Sequence, residues 1–183
     1  RARTGDKTAK SAGTDAVVDE RGVASSGTVS VVDFEQGREV AQIVTGLHPC
    51  DLELDAPRGR VYVVNANSDT VSVIDTGTLA VMETISVKPD SSLAFGSAPN
   101  ALSLSKDGRT LFVANGGNNA VAMVSLAEAA SGKSAVAGFI PAAWFPGGLV
   151  NDGRHLYIAN TKGFGSRNPS KDNDATTLSK IPI

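Results

Sequence analysis

Cysteine is almost missing from this chain: Cys50 is the only one, which excludes an internal disulfide and any cysteine-based zinc site and leaves the redox compartment open. Histidine is nearly as scarce, with His48 and His155 alone. No apolar run approaches the roughly 18 residues that a membrane-spanning helix needs. The opening stretch "RARTGDKTAKSAGTDAVVDE" lacks the apolar core of a signal peptide, so a secretion signal would have to lie outside this sequence. Charge of one sign is also missing. Seventeen basic and nineteen acidic residues give a formal charge of −2, so no global field points to nucleic acid or an anionic membrane. What is present is ordinary globular material, 183 residues with 41% hydrophobic and 20% charged, enough for one domain with a sizeable core.

Repetition organises that material. One apolar signature reads "VYVVN" at 61–65, "LFVAN" at 111–115 and "LYIAN" at 156–160. Another reads "TVSVVD" at 28–33 and "TVSVID" at 70–75, with a weaker copy, "AVAMVS", at 120–125. Upstream of the first signature come "HPCDLEL", "APNALSL" and "FPGGLV", each followed by a Gly-containing turn, "APRGR", "KDGR" or "NDGR". Asp-Gly between apolar runs is a strong hairpin signal.

The unit predicts four strands: a (50–54), b (60–65), c (70–75) and d (80–87). Four short strands per roughly 40 to 50 residues mark a β-propeller blade. Near-continuous apolar runs such as Val61 to Val64 suit strands covered on both faces by neighbouring blades. A β-sandwich would not require the same four-strand text to recur. The expected fold is therefore all-β, a β-propeller of four-stranded antiparallel blades, with three to four blades present as a partial ring. Residues 1–27 are read as an insertion loop and 28–183 as the partial propeller, with blades at 28–44 (partial), 50–87, 99–140 and 146–183 (partial, including a strand c at 178–183). The spacing from the leading Pro to strand b shortens by two residues in the last copy (Pro146 to Leu156). An even deletion keeps each side chain on its own face.

Alternating strand direction places the b-to-c and d-to-a connections at one end of the ring. The long segments 1–27, 88–98 and 161–177 are all expected there, and long loops on rigid scaffolds carry function disproportionately. They hold nine of the seventeen cations against seven acids, which favours an anionic small molecule. The candidate ligand-binding residues on this end are His48, Asn65, Asn67, Asn100, Asn115, Asn118, Trp144, Lys162 and Arg167. His48 and His155 fall at opposite ends and cannot share a catalytic or metal centre, and nothing resembles a nucleophile elbow. Cys50 reads as a small buried hydrophobe at the head of an inner strand. "NANSD" and "NGGNN" read as tight turns ahead of calcium ligands. "KGFGSR" lacks the third glycine of a dinucleotide fingerprint and any following Gly-Lys-Ser/Thr, though its amides, Lys162 and Arg167 could meet an oxyanion. The sequence thus offers no catalytic constellation, metal site or cofactor site.

The units "VYVVNANSDTVSVIDT" and "KDGRTLFVANGGNNAVAMVSL" resemble the YVTN-type β-propeller family over nearly the whole chain after residue 22. "ASSGTVSVVD", "GLHPCDLELD", "FGSAPNALSLSKDGRTLFVANGGNNAVAMVSL" and "WFPGGLVNDGRHLYIANTKGFGSRNP" are similar to the propeller that precedes a phosphoesterase domain of the alkaline phosphatase superfamily. The resemblance implies a seven-bladed ring, a metal-dependent hydrolase domain following it as partner, and export. The expected role is a non-catalytic binding or scaffold portion of that larger protein, contacting ligand, substrate or the following domain through its long-loop face. The alternatives are a surface or secreted binding protein that completes its ring by association, and an independent enzyme with a channel site around His48.

Overall fold

A computed structural model describes residues 7–11, 14–18, 20, 22, 27–128 and 132–163. Among the described residues fourteen strands pair only with sequence neighbours. Strands β5 (Pro49–Asp55), β6 (Arg60–Asn65), β7 (Thr70–Asp75) and β8 (Ala80–Ser86) form one antiparallel four-stranded sheet, and β9 (Pro99–Leu104), β10 (Thr110–Asn115), β11 (Ala120–Ser125) and β12 (Ala135–Pro141) form a second. These are two complete four-stranded blades. Two half-blades flank them: β3 (Gly27–Asp33) with β4 (Arg38–Thr45), in the c and d positions, and β13 (Pro146–Asn151) with β14 (Leu156–Asn160), in the a and b positions. The strand c expected at 178–183 lies outside the described residues. The segment read as a loop, 1–27, contains a hairpin of its own, β1 (Thr8–Ser11) paired with β2 (Thr14–Val17). Its strands are too short and polar to carry the apolar signature that marks the blades. No helix among the described residues is long and apolar enough to cross a membrane.

Period two explains the packing. Tyr62 and Val64 point from β6 toward the next blade, where they join Leu102, Leu111 and Val113 in one buried cluster. Val63, one step out of phase, joins Ile43 and Ile74 against the preceding half-blade. Both faces of β6 are thus covered, and burying each large side chain contributes about 1.5–3 kcal/mol. Carboxylates add directionality at the seam between the complete blades. Asp51 Oδ2 accepts the Leu102 amide at 2.7 Å, Glu53 Oε1 accepts the Leu104 amide at 3.2 Å, and Glu83 accepts both the Ser134 amide (2.7 Å) and its hydroxyl (2.8 Å).

The register bears out the even deletion. Pro49 stands opposite Asn65, Pro99 opposite Asn115 and Pro146 opposite Asn160, although the last hairpin is two residues shorter. Each turn closes on a left-handed glycine, Gly59 (φ 62°), Gly108 (φ 68°) and Gly153 (φ 89°). At Gly108 a side chain would also collide with the Arg58 guanidinium that reaches over from the preceding blade.

Candidate functional site

The same irregularity recurs at the head of every complete inner strand. Pairing of β5 with β6 skips from Pro49 to Asp51, that of β9 with β10 from Pro99 to Ala101, and that of β13 with β14 from Pro146 to Gly148. Cys50, Asn100 and Gly147 are therefore bulged residues, each freed from the ladder. Bulges of this kind re-aim a side chain away from the regular pleat.

The residue before each of those prolines is left-handed without being glycine: His48 (φ 56°), Ala98 (φ 45°) and Phe145 (φ 58°). That conformation costs roughly 1–2 kcal/mol for a residue with a Cβ, and the surroundings hold it in place. The carbonyls of His48, Ala98 and Phe145 accept the amides of Ala66 (3.0 Å), Gly116 (3.1 Å) and Thr161 (2.9 Å). Those of Leu47, Ser97 and Trp144 accept the amides of Asn67 (3.1 Å), Gly117 (2.9 Å) and Lys162 (3.2 Å). Each d-to-a connection is thereby clamped onto the b-to-c turn of its own blade. Asp69 reinforces the middle one, its two oxygens accepting the Gly96 (2.8 Å) and Ala98 (3.1 Å) amides.

The three clamps and three bulges surround a hollow of about 390 Å³, lined by His48, Cys50, Ala66, Asn67, Ala98, Asn100, Phe145, Gly147 and Thr161. Asn100 donates from Nδ2 to the Ala98 carbonyl at 3.2 Å, while its buried Oδ1 has no partner among the described residues. Glycine keeps the space open: a Cβ on Gly147 would stand 2.7 Å from Thr161 Oγ1, and one on Gly116 would stand 2.9 Å from the Phe145 ring. Above the rim, the Lys162 ammonium lies 5.6 Å from the Trp144 ring centre and 5.7 Å from that of Phe145, within cation–π range.

A larger cleft of about 710 Å³ runs along the outer edge between β8 and β12. Its polar groups are already engaged: Arg60 Nη1 donates to the Ala127 carbonyl (2.9 Å) and Glu83 grips Ser134, both between blades, while Lys88 Nζ donates within its own loop to the Ser91 and Leu93 carbonyls (3.3 and 2.8 Å). The smaller hollow, built by the repeat and rimmed by the Lys162 ammonium, is the better functional candidate.

The residues expected on this end divide. His48, Asn67 and Asn100 line the hollow, and Trp144 and Lys162 stand at its rim. Asn65 and Asn115 are fully buried inside their blades, donating to Thr70 and Ser72 hydroxyls (3.2 and 2.9 Å) and to the Val87 carbonyl (2.7 Å) respectively. Asn118 is exposed in a short 3₁₀ turn, Gly116–Asn118. Its neighbour Asn119, left-handed at φ 52°, is the one that acts locally, its Oδ1 accepting the Phe145 amide at 2.9 Å. Arg167 lies outside the described residues.

Cys50 departs from expectation. It is exposed, because the bulge turns it out of the ladder into the hollow. Its sulfur nevertheless sits 3.8 Å from the Pro99 and Asn100 carbonyls. Partial desolvation there, followed by the Asp51 charge, raises its pKa, which works against forming the reactive thiolate. The turn reading of "NANSD" and "NGGNN" fits the left-handed Asp69 and Asn119. His155 sits at the other end of its blade, Nδ1 3.2 Å from Asp152 Oδ2, remote from His48 in the hollow.

The sequence model described as "Lactonase, 7-bladed beta-propeller" matches residues 49–164, the stretch that carries all three bulges and the second and third clamps. The chain belongs to this lactonase family. Among solved structures, this lactonase-family chain is similar to a candidate 6-phosphogluconolactonase from Bacteroides uniformis (16% identity, TM-score 0.58, covering 75% of this chain and 43% of that one). It is equally similar to another from Bacteroides fragilis (19%, 0.58, 74% and 43%). A functionally unknown protein from Desulfotomaculum acetoxidans matches comparably (16%, 0.56, 73% and 41%). These likenesses establish the fold alone, and the chain spans less than half the length of each of these three propellers. No curated protein matches.

Proposed function

We propose that this partial lactonase-family propeller is a non-catalytic binding portion of a larger, exported, phosphoesterase-like protein of the alkaline phosphatase superfamily. Its hollow at the clamp end contacts a small anionic molecule or the domain that follows. The observation that carries the reading is the convergence of three repeat-equivalent bulges on one hollow, with the Lys162 ammonium at the rim. A cation held over two rings is pre-positioned, so an anion meets it at little entropic cost.

The test is calorimetric titration of the full-length protein with inorganic phosphate and with a phosphomonoester. Replacing Lys162 and Arg167 by Ala weakens binding and leaves the melting temperature nearly unchanged. Unaltered binding by that double variant sinks the reading.

A second reading, lactone hydrolysis at the hollow, is favoured by the family and by His48, whose imidazole lines the site. It requires that the full-length protein open a simple aldonolactone and that His48→Gln abolish the reaction. Turnover retained by that variant excludes His48 as the acting base.

A further inference from the structure

Polar and apolar groups are sorted by depth in the hollow at the clamp end. His48, Asn67 and Thr161 line it as exposed residues. Its more deeply set members are apolar: Ala66 is 7% exposed, and Ala98 and Phe145 are half-buried. Asn100, the polar side chain set as deep as these, has little left to offer a ligand. Its Nδ2 already donates to the Ala98 carbonyl at 3.2 Å, and its Oδ1 is covered. Cys50 adds a sulfur, a soft surface with weak hydrogen-bonding capacity. This wall comes from three successive blades and from no free strand edge.

The repeat also sets where the space lies. The bulged position carries Cys50 and Asn100 in the two complete blades but Gly147 in the last. The hollow therefore has no side chain beside Phe145 at the one bulge where Phe145 could serve as a platform. That ring is fixed in place, its residue held at φ 58° with the amide bonded to Asn119 Oδ1 (2.9 Å) and the carbonyl to the Thr161 amide (2.9 Å). Phe145 also joins the apolar wall to the charge, since the Lys162 ammonium lies 5.7 Å from its ring centre.

Resting on the reading of the hollow as an anion site, we propose that its ligand is an organic anion with a compact apolar ring. The ring lies against Phe145 beside Gly147, and the anionic group reaches Lys162 at the rim. Ring against ring in an offset stack is favourable beyond the area it buries, and the fixed platform lowers the ordering cost of binding. A volume of about 390 Å³ suits a small molecule of this kind. A polyhydroxylated body fits poorly, because hydroxyls set against Ala66, Ala98 and Phe145 would give up water without gaining a partner.

Calorimetric titration of the full-length protein with phenyl phosphate, methyl phosphate and inositol monophosphate tests this. The three share one monoester headgroup, so differences among them report on the body. Phenyl phosphate is expected to bind about tenfold more tightly than methyl phosphate, as burial of several ring carbons requires, and inositol monophosphate no more tightly than methyl phosphate. Gly147→Val fills the space beside Phe145. It should weaken phenyl phosphate by about tenfold and leave methyl phosphate within roughly twofold. Ala98→Ser, which sets a hydroxyl in the wall, should narrow the preference for phenyl over inositol and serves independently if Gly147→Val does not fold. Equal affinities for the three esters, or tighter binding of inositol monophosphate, overturns the apolar-ring inference and leaves the anion-site reading standing. Phenyl phosphate binding indifferent to both substitutions overturns it too, by placing that ligand elsewhere. Binding of none of the three overturns both.

Discussion

Leu102 and Leu52 occupy the same place in successive repeats, yet one is 4% exposed and the other 54%. Tyr62 and Tyr157 make the same pair in reverse, buried completely at the interior seam and open at the last half-blade. Nothing about the residues differs. Leu102 has the inner strands β5 and β6 beside it, while among the described residues no inner strands stand before Leu52. The apolar signature of a blade is therefore an instruction about its neighbours as much as about itself, since an isolated blade cannot cover both of its faces.

The largest expected effect comes from testing that equivalence directly. Leu102→Ala empties a packed site and should cost about 2–5 kcal/mol, while Leu52→Ala in the same chain should stay within roughly 1 kcal/mol, both read as shifts in urea unfolding. Equal losses would show that Leu52 is covered in solution, which is how a closed ring would announce itself.

The seams differ in polar chemistry too. Asp51 and Glu53 staple β9 to β5 through the Leu102 and Leu104 amides, but their counterparts on β9 are Ala101 and Ser103, which have no carboxylate to offer β13. Asp51→Ala leaves a part-buried amide without its acceptor and should cost about 1–3 kcal/mol. Hydrogen exchange at Leu102 should quicken with it, and unchanged exchange would demote the staple to decoration.

A smaller change is expected at the hollow. Asn119→Ala removes the acceptor of the Phe145 amide and places alanine at positive φ, at a cost of roughly 1–2 kcal/mol. Its signature is a change in Trp144 fluorescence, which a similar loss at the interior seam would not produce.

The smallest effect is in acid. The His155 and Arg154 amides hold the Asp152 carboxyl down to about 2. Because its folded-state pKa is depressed, its contribution is present above the ordinary carboxylate range and disappears as pH falls toward 2. Asp152→Asn should flatten the stability profile of the last hairpin there, as monitored by its amide resonances. A wild-type profile already flat in that window would rule the turn out as an acid-sensitive element.

Strand positions were legible because they rest on local text. Near-continuous apolar runs, the Gly-containing turns and the Pro-to-Asn interval set strand, hairpin and register, and β5 to β8 follow them within a residue or two. The hairpin at 8–17 carried no such text. At the hollow, the sequence singled out His48, Asn67, Asn100, Trp144 and Lys162 by their place in loops. It could not separate these from Asn65 and Asn115, because a buried turn asparagine and a binding asparagine occupy loops of identical composition. The recurrent residue before proline was the unused signal: it marks the clamp, and with it Phe145 and the bulged Cys50.

By itself, then, the sequence determined the blade, since period two and turn chemistry act over a few residues and need no distant partner. Tertiary structure alone decided which side of each bulge faces the hollow and which copies of one apolar signature are buried. Those outcomes depend on what stands next to a strand in space, and a repeat that writes the same letters for Leu52 and Leu102 cannot encode that difference.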